Sequence, residues 1–300
     1  MKKFLAAAAA SAFALIGFSA TPALATTPTP TYSYTMEGNL NDTAGTSTMT
    51  PAVTCNSPAA TDLCNISANF GSDANGHFWH WVTAQNNGGG AVLTTPTAFG
   101  ADYTIYIKFA IDDEANDTNS SDCAAPDANY SSVFNTSDLT SDYGFYTAGC
   151  NPDLYLSTGM ETADTRIGVG EVVEAVLTRD DATKELKVYI NYANGFEESW
   201  TVDDTNGDFL IADHNSGSIL RLFQDDGLDD SHEGVQEGRL YGLKVWANDV
   251  LTLEEIAPLA TLDDKLAETG VDAAQSSAML GFGVAAIITG VAVVVRRRRA

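Results

Sequence analysis

The alternation of apolar and polar residues is cleanest over residues 102–111. Tyr103, Ile105, Ile107, Phe109 and Ile111 fall on one face, and Thr104, Tyr106, Lys108 and Ala110 on the other. A period of two belongs to a β-strand. Residues 185–191 repeat the device, with Leu186, Val188 and Ile190 inward and Lys187 and Tyr189 outward. Residues 32–36, 171–178, 196–202, 218–223 and 238–246 read as further strands, as does the stretch around Phe78-Trp79. Clusters of Gly, Asn, Asp and Ser separate them, which is turn chemistry. Helical periodicity is scarce. One start signal stands at Thr252-Leu253-Glu254-Glu255, a capping-box pattern running toward Leu259 and limited by Pro258. No internal repeat is visible. The pattern predicts an all-β domain over residues 32–259, folded as a two-sheet antiparallel sandwich, and excludes Rossmann and TIM designs.

The two ends follow different rules. Lys2 and Lys3 precede an apolar stretch over residues 4–18, and Ala23-Leu24-Ala25 offers the small-x-small pattern a signal peptidase reads. Residues 1–25 are therefore expected to be removed between Ala25 and Thr26, leaving a short Pro/Thr lead-in at 26–31. At the other end, residues 279–295 carry no charge, and the basic tail 296–300 begins at once with Arg296 to Arg299. Such a segment is just long enough to span a bilayer, with its arginines on the cytoplasmic side. Upstream, within the short stalk 260–278, stands Leu266-Ala267-Glu268-Thr269-Gly270. Motif, polar spacer, apolar span and basic tail in this order resemble a sortase cell-wall sorting signal, whose usual pentapeptide is Leu-Pro-x-Thr-Gly. Ala267 departs from that pattern, because proline bends the peptide. The Leu-Ala-x-Thr-Gly form is similar to the variant handled by another sortase class in high-GC Gram-positive bacteria. The resemblance implies cleavage after Thr269 and covalent transfer of its carbonyl to peptidoglycan.

Charge narrows the partners. Removing Lys2, Lys3 and the four terminal arginines leaves 9 of 15 basic residues, and removing Asp272 leaves 39 of 40 acidic ones, so residues 26–269 carry a formal charge of −30. Phosphate backbones need clustered Lys and Arg, which excludes nucleic acid, and anionic membrane surfaces are disfavoured likewise. Cys55, Cys64, Cys123 and Cys150 all lie in the exported segment. An even count there predicts two disulfides. Of the three connectivities, Cys55–Cys64 with Cys123–Cys150 is favoured, since each pair would clip a turn-rich stretch. The spacings match no Cys-x-x-Cys zinc pattern.

Several stretches, in order, resemble the laminin-G-like, concanavalin A-like jelly-roll family: residues 36–42, Thr178-Arg179-Asp180-Asp181 with residues 187–191, Leu222-Phe223-Gln224-Asp225-Asp226 followed by Glu233 and the strand 240–246, and the closing helix 251–256. One departure is the longer hairpin turn after Asn191, where Gly arrives only at Gly195. The resemblance implies calcium at Asp225 and Asp226. The residues themselves add Glu233, with Asp229 and Asp230 in the same loop, a set of hard oxygen ligands suited to Ca²⁺. A solvated acidic loop is the alternative, and Asp112, Asp113 and Glu114 read as that. His77 and His80 are set three apart in a strand, so they face opposite ways and read as structural or surface residues rather than a metal pair. Trp79 and Trp81 share a face and read as core or as a stacking platform for a sugar, with core favoured. No Glu-x-Asp-x-x-Glu, Gly-x-Ser-x-Gly or His-Glu-x-x-His motif occurs. The expected function is a non-enzymatic, wall-anchored binding module for glycan or a surface protein. The alternatives are a structural envelope protein and, less favoured, a glycoside hydrolase with unrecognised catalytic residues.

Overall fold

The computed structural model describes residues 26–52, 69–82, 88–113, 130–136, 141–148, 151–162, 167, 170–192, 195–213, 219–224, 235 and 237–260. Their strands are β1 (Tyr32–Tyr34), β2 (Met49–Pro51), β3 (Phe70–Asp73), β4 (Gly76–Val82), β5 (Gly88–Thr94), β6 (Tyr103–Asp113), β7 (Tyr130–Asn135) and β8 (Gly144–Ala148). They continue with β9 (Asn151–Leu156), β10 (Gly159–Thr162), β11 (Val173–Asp180), β12 (Glu185–Tyr192), β13 (Gly195–Asp203), β14 (Ile219–Gln224) and β15 (Glu237–Trp246). All pair antiparallel, in two sheets. The first runs β13-β12-β11-β6-β15-β4-β3, with β1 beside the far half of β15; the second runs β10-β9-β8-β7-β14-β5-β2. The late strands β14 and β15 lie between strands made much earlier, so most of the chain must be in place before either sheet is complete.

The chain is thus the antiparallel β-sandwich its alternation predicts. Ile105, Ile107, Phe109 and Ile111 of β6 enter the core between the sheets with Leu186, Val188 and Ile190, and meet Phe134, Phe145, Leu154, Leu220 and Leu222 of the second sheet. Of the two readings for Trp79 and Trp81, core holds: both are buried, and Trp81 packs on Phe223 with ring centroids 4.5 Å apart. At β14 the chain bulges: Phe223 takes φ 61°, and Gly90 opposite it takes φ 71° with the Leu222 carbonyl closing the space a side chain would need. Glycine is required there.

Tyr189 is the exception to the inward and outward reading. It does point away from the core between the sheets, yet it is buried. Tyr189, Tyr106, Val176, Phe196 and Trp246 form a second apolar cluster, closed by Leu251, Ile256 and Leu259. The cover is the short helix α1 (Leu253–Ile256) and the 3-10 turn Ala257–Leu259 that continues it. The expected cap is present: the Glu255 carboxylate accepts the Thr252 backbone N–H at 2.9 Å. The Pro/Thr lead-in joins the same end. The Trp246 indole donates to the Pro28 carbonyl at 2.9 Å, and the Thr27 hydroxyl to the Glu255 carbonyl at 2.6 Å.

Candidate binding cleft

β10 ends the second sheet and β13 ends the first, and the sandwich is open between them. A cleft of about 430 Å³ lies there, lined by Leu156, Thr158, Glu161, Thr201, Val202, Asp203, Thr205 and Asn206. Leu156 belongs to the core and Val202 packs against it, giving an apolar floor. Thr158, Glu161, Thr201, Asp203, Thr205 and Asn206 are exposed and form the rim. The volume falls within the range that holds small ligands.

Two turns make the walls, and their sequences explain them. Ser157-Thr158 connects β9 to β10, and Gly159 leaves the turn with φ 126°. Asp203-Asp204-Thr205-Asn206-Gly207-Asp208 follows β13, where short polar side chains bond their own backbone. Asp203 accepts the Thr205 N–H at 2.8 Å. The two walls are then bonded to each other. Asp208 accepts both the N–H and the hydroxyl of Ser157, at 2.9 and 2.7 Å, and Asn206 donates to the Ser157 hydroxyl oxygen at 3.1 Å.

A buried ion pair anchors the second wall from behind. Arg179 Nε donates to Asp204 Oδ2 at 2.6 Å, with both side chains almost fully enclosed. Asp204 Oδ1 accepts the Phe209 N–H at 3.2 Å, and Tyr103 donates to the Phe209 carbonyl at 2.8 Å. Burial pushes the Asp204 carboxyl up from its ordinary value, and the Arg179 bond opposes it. The rim hydroxyls are therefore held by a fixed frame, which spares a ligand the cost of ordering them.

None of the cleft residues is among those singled out in the sequence. His80 Nε2 is 2.9 Å from Glu237 Oε1, while His77 is exposed on the opposite face of β4. Asp112 accepts two bonds from Arg239, at 2.7 and 2.6 Å, beneath the rings of Phe78 and Tyr241. Cys55, Cys64, Cys123, Cys150, Asp225, Asp226, Glu233, the motif Leu266–Gly270 and the segment 279–295 lie outside the described residues. Among the described residues no three His, Cys, Asp or Glu side chains gather to hold a metal, and no helix is long and apolar enough to cross a membrane. The cleft residues carry no motif. Their one sequence signal is turn chemistry directly after a strand, at Ser157-Thr158-Gly159 and at residues 203–208.

No protein-family model and no curated protein matches this chain. Solved structures do. The botulinum neurotoxin type G receptor binding domain is 12% identical with a TM-score of 0.47, over 77% of this chain and 51% of that one. A Trypanosoma rangeli sialidase is 14% identical with a TM-score of 0.47, over 76% of this chain and 32% of that one. The CBM40 domain of a Ruminococcus gnavus IT-sialidase, bound to α2,3-sialyllactose, is 16% identical with a TM-score of 0.37, over 55% of this chain and 84% of that one. This chain thus spans about half of the neurotoxin domain and about a third of the trypanosomal enzyme.

Proposed function

We propose that this chain is a non-enzymatic glycan-binding module of concanavalin A-like jelly-roll form, related to laminin-G-like domains and held in a Gram-positive cell wall by sortase. The observation that carries the binding reading is the cleft, an apolar floor ringed by hydroxyls, an amide and carboxylates that its own frame holds in place. A sugar presents a C–H face to such a floor and hydroxyls to such a rim. Glu161 and Asp203 in the lining, and the excess of acidic residues in the chain, favour neutral or amino sugars over acidic ones.

The two lining carboxylates also raise a hydrolytic reading, since glycosidases use such pairs. Asp203 is engaged in its own turn with Thr205, which favours binding. Calcium at Asp225, Asp226 and Glu233 is part of the proposal, on hard oxygen ligands that follow β14 directly in sequence. Anchoring rests on the order of motif, spacer, apolar span and arginines at the C-terminus.

A glycan array tests the reading, run with calcium and with chelator on wild type, Asp226→Asn and Thr201→Val/Asn206→Ala. Neutral or amino-sugar glycans are expected to bind wild type. The double variant should lose about tenfold or more in affinity, as two hydrogen bonds are removed. Chelator and Asp226→Asn should lower the thermal midpoint by the same amount. Cleavage of a bound oligosaccharide would replace the binding reading with the hydrolytic one.

A further inference from the structure

The outward face of the first sheet holds a polar cluster that the cleft does not use. Glu174 of β11 is fully buried there. It pairs in register with Lys108 of β6, and on its other side stands Asn191 of β12, one residue beyond the Ala175–Ile190 pair. Lys108 and Asn191 are buried too, at 7% and 5% exposure. The contacts run through Glu174. Lys108 Nζ lies 3.7 Å from Glu174 Oε1, Tyr106 donates its hydroxyl to that oxygen at 2.8 Å, and the Asn191 amide nitrogen donates to Glu174 Oε2. Lys108 also donates to the Asn75 carbonyl at 2.8 Å. Asn191 Oδ1, although buried, has no hydrogen-bond partner among the described residues.

An amine and a carboxamide thus flank one carboxylate, out of water. Water stabilises the lysine ammonium, and its removal makes the amine a better nucleophile, while a proton donor at the amide oxygen makes the carbonyl a better target. Lys108 and Asn191 are two strand spacings apart, roughly 9–10 Å between Cα atoms. The flexible four-carbon stem of lysine and the short arm of asparagine can bridge that span together. Glu174 is in contact with both, and the movement left is local: Lys108 Nζ leaves the Asn75 carbonyl and swings past Glu174 to reach Cγ of Asn191.

We propose that Lys108 and Asn191 form an intramolecular isopeptide bond, with Glu174 as the residue that moves the protons. Glu174 takes a proton from the Lys108 ammonium, and the freed Nζ lone pair attacks Cγ of Asn191. The protonated Glu174 carboxyl turns its O–H to the Asn191 Oδ1, whose open acceptor site receives it as negative charge develops. Collapse breaks the Cγ–Nδ2 bond. The nitrogen leaves as ammonium with the protons that Nζ has given up, and Glu174 is returned as carboxylate. Charge and atoms balance without oxidant or reductant. The product is a covalent tie from β6 to β12 across β11.

Two neighbours sharpen the assignment. Lys244 Nζ lies 5.2 Å from the Tyr106 ring centroid, which makes it the competing amine. Asn75 supplies the competing carboxamide, beside Lys108.

Peptide mapping of the full folded chain by mass spectrometry tests the proposal. The peptides containing Lys108 and Asn191 should be recovered joined, lighter than their sum by one ammonia. Glu174→Gln should give the two peptides separate and unmodified, with the fold checked by circular dichroism. Lys108→Arg keeps the positive charge without the nucleophile. It serves as the second test if the Glu174 variant does not fold, and should give an unlinked chain with a lower thermal midpoint. Separate, unmodified Lys108 and Asn191 peptides from folded wild type would overturn the proposal. So would a link that persists in Glu174→Gln, or one made through Lys244 or Asn75.

Discussion

Arg179 organises the cleft from behind. Its guanidinium holds Asp204 at 2.6 Å, and Asp204 holds the turn that forms one wall. Removing Arg179 leaves the buried Asp204 carboxylate without its ion pair, which typically costs about 3–5 kcal/mol, whereas Arg179 without Asp204 keeps Asp181 at 3.2 Å. Arg179→Met is expected to lose stability on that scale in urea denaturation, and Asp204→Asn less. The double variant should lose less than the sum of the two, because the pair acts as a unit. A different set of carboxylates governs acid stability. Asp42 accepts the Ser33 N–H and the Thr46 hydroxyl, each at 2.8 Å, and Asp73 accepts the Asn75 N–H at 2.6 Å and the Tyr241 hydroxyl at 2.8 Å. Burial raises both carboxyls, but these bonds together outweigh it and hold both below the ordinary value. A depressed folded value means stability that is complete above the unfolded pKa, near pH 4, and lost as pH falls through the folded one. The denaturation midpoint should therefore fall as pH drops below about 4, and Asp42→Asn/Asp73→Asn should flatten that fall. An unchanged slope in the double variant would remove these two residues from the account.

The closing helix is the element whose role is easiest to isolate. Ile256 is fully buried over Trp246 and Tyr106, whereas Leu253, three residues earlier, is 41% exposed. Ile256→Ala should cost about 2–5 kcal/mol, and Leu253→Ser about 0.5 or less. The contrast checks which face of the helix the cluster uses. This helix was legible from its cap and its proline. Every strand expected from alternation also formed, and all but β14 belong to the first sheet or its β1 flank. The rest of the second sheet was missed for a physical reason. β5 opens on Gly88-Gly89-Gly90, β7 carries Ser131 and Ser132, and β9 opens on Asn151-Pro152-Asp153. Those are turn residues by local propensity. Tertiary pairing overrides that preference, since their interleaved Leu93, Phe134, Phe145 and Leu154 are needed in the core. The cleft was hidden for the same reason, because one wall stands on β9 and β10.

At the scale of the whole molecule, both ends of the domain meet on one side. The lead-in residues Thr27, Pro28 and Thr31 bond to residues 246–255, beside the point where the chain continues toward residue 261. If the sorting motif at 266–270 is used, only residues 260–265 lie between domain and wall bond. Fully extended at about 3.3–3.6 Å per residue, they reach roughly 20 Å. The domain is therefore expected to work within or close to the wall. Deleting residues 266–270 should move the protein from the wall to the membrane fraction. An antibody to the sandwich should label partly digested walls more strongly than intact cells. Equal labelling of both would place the domain at the outer surface. Non-reducing peptide maps of exported material are expected to join Cys55 to Cys64 and Cys123 to Cys150, and a crossed pairing would contradict that choice.

The cleft is the centre of the functional account, and methyl NMR reads it directly. Leu156 and Val202 form its floor, so their signals report on anything seated there. Titration with a neutral or amino-sugar wall oligosaccharide should shift those two methyl sets in wild type, with little change at Leu220 or Leu243 deep in the core. The same titration of Thr201→Val/Asn206→Ala should require about tenfold more ligand or fail to saturate. Saturable binding that leaves Leu156 and Val202 unmoved would place the glycan site elsewhere on the sandwich, and absence of saturable binding to any glycan would contradict the reading altogether.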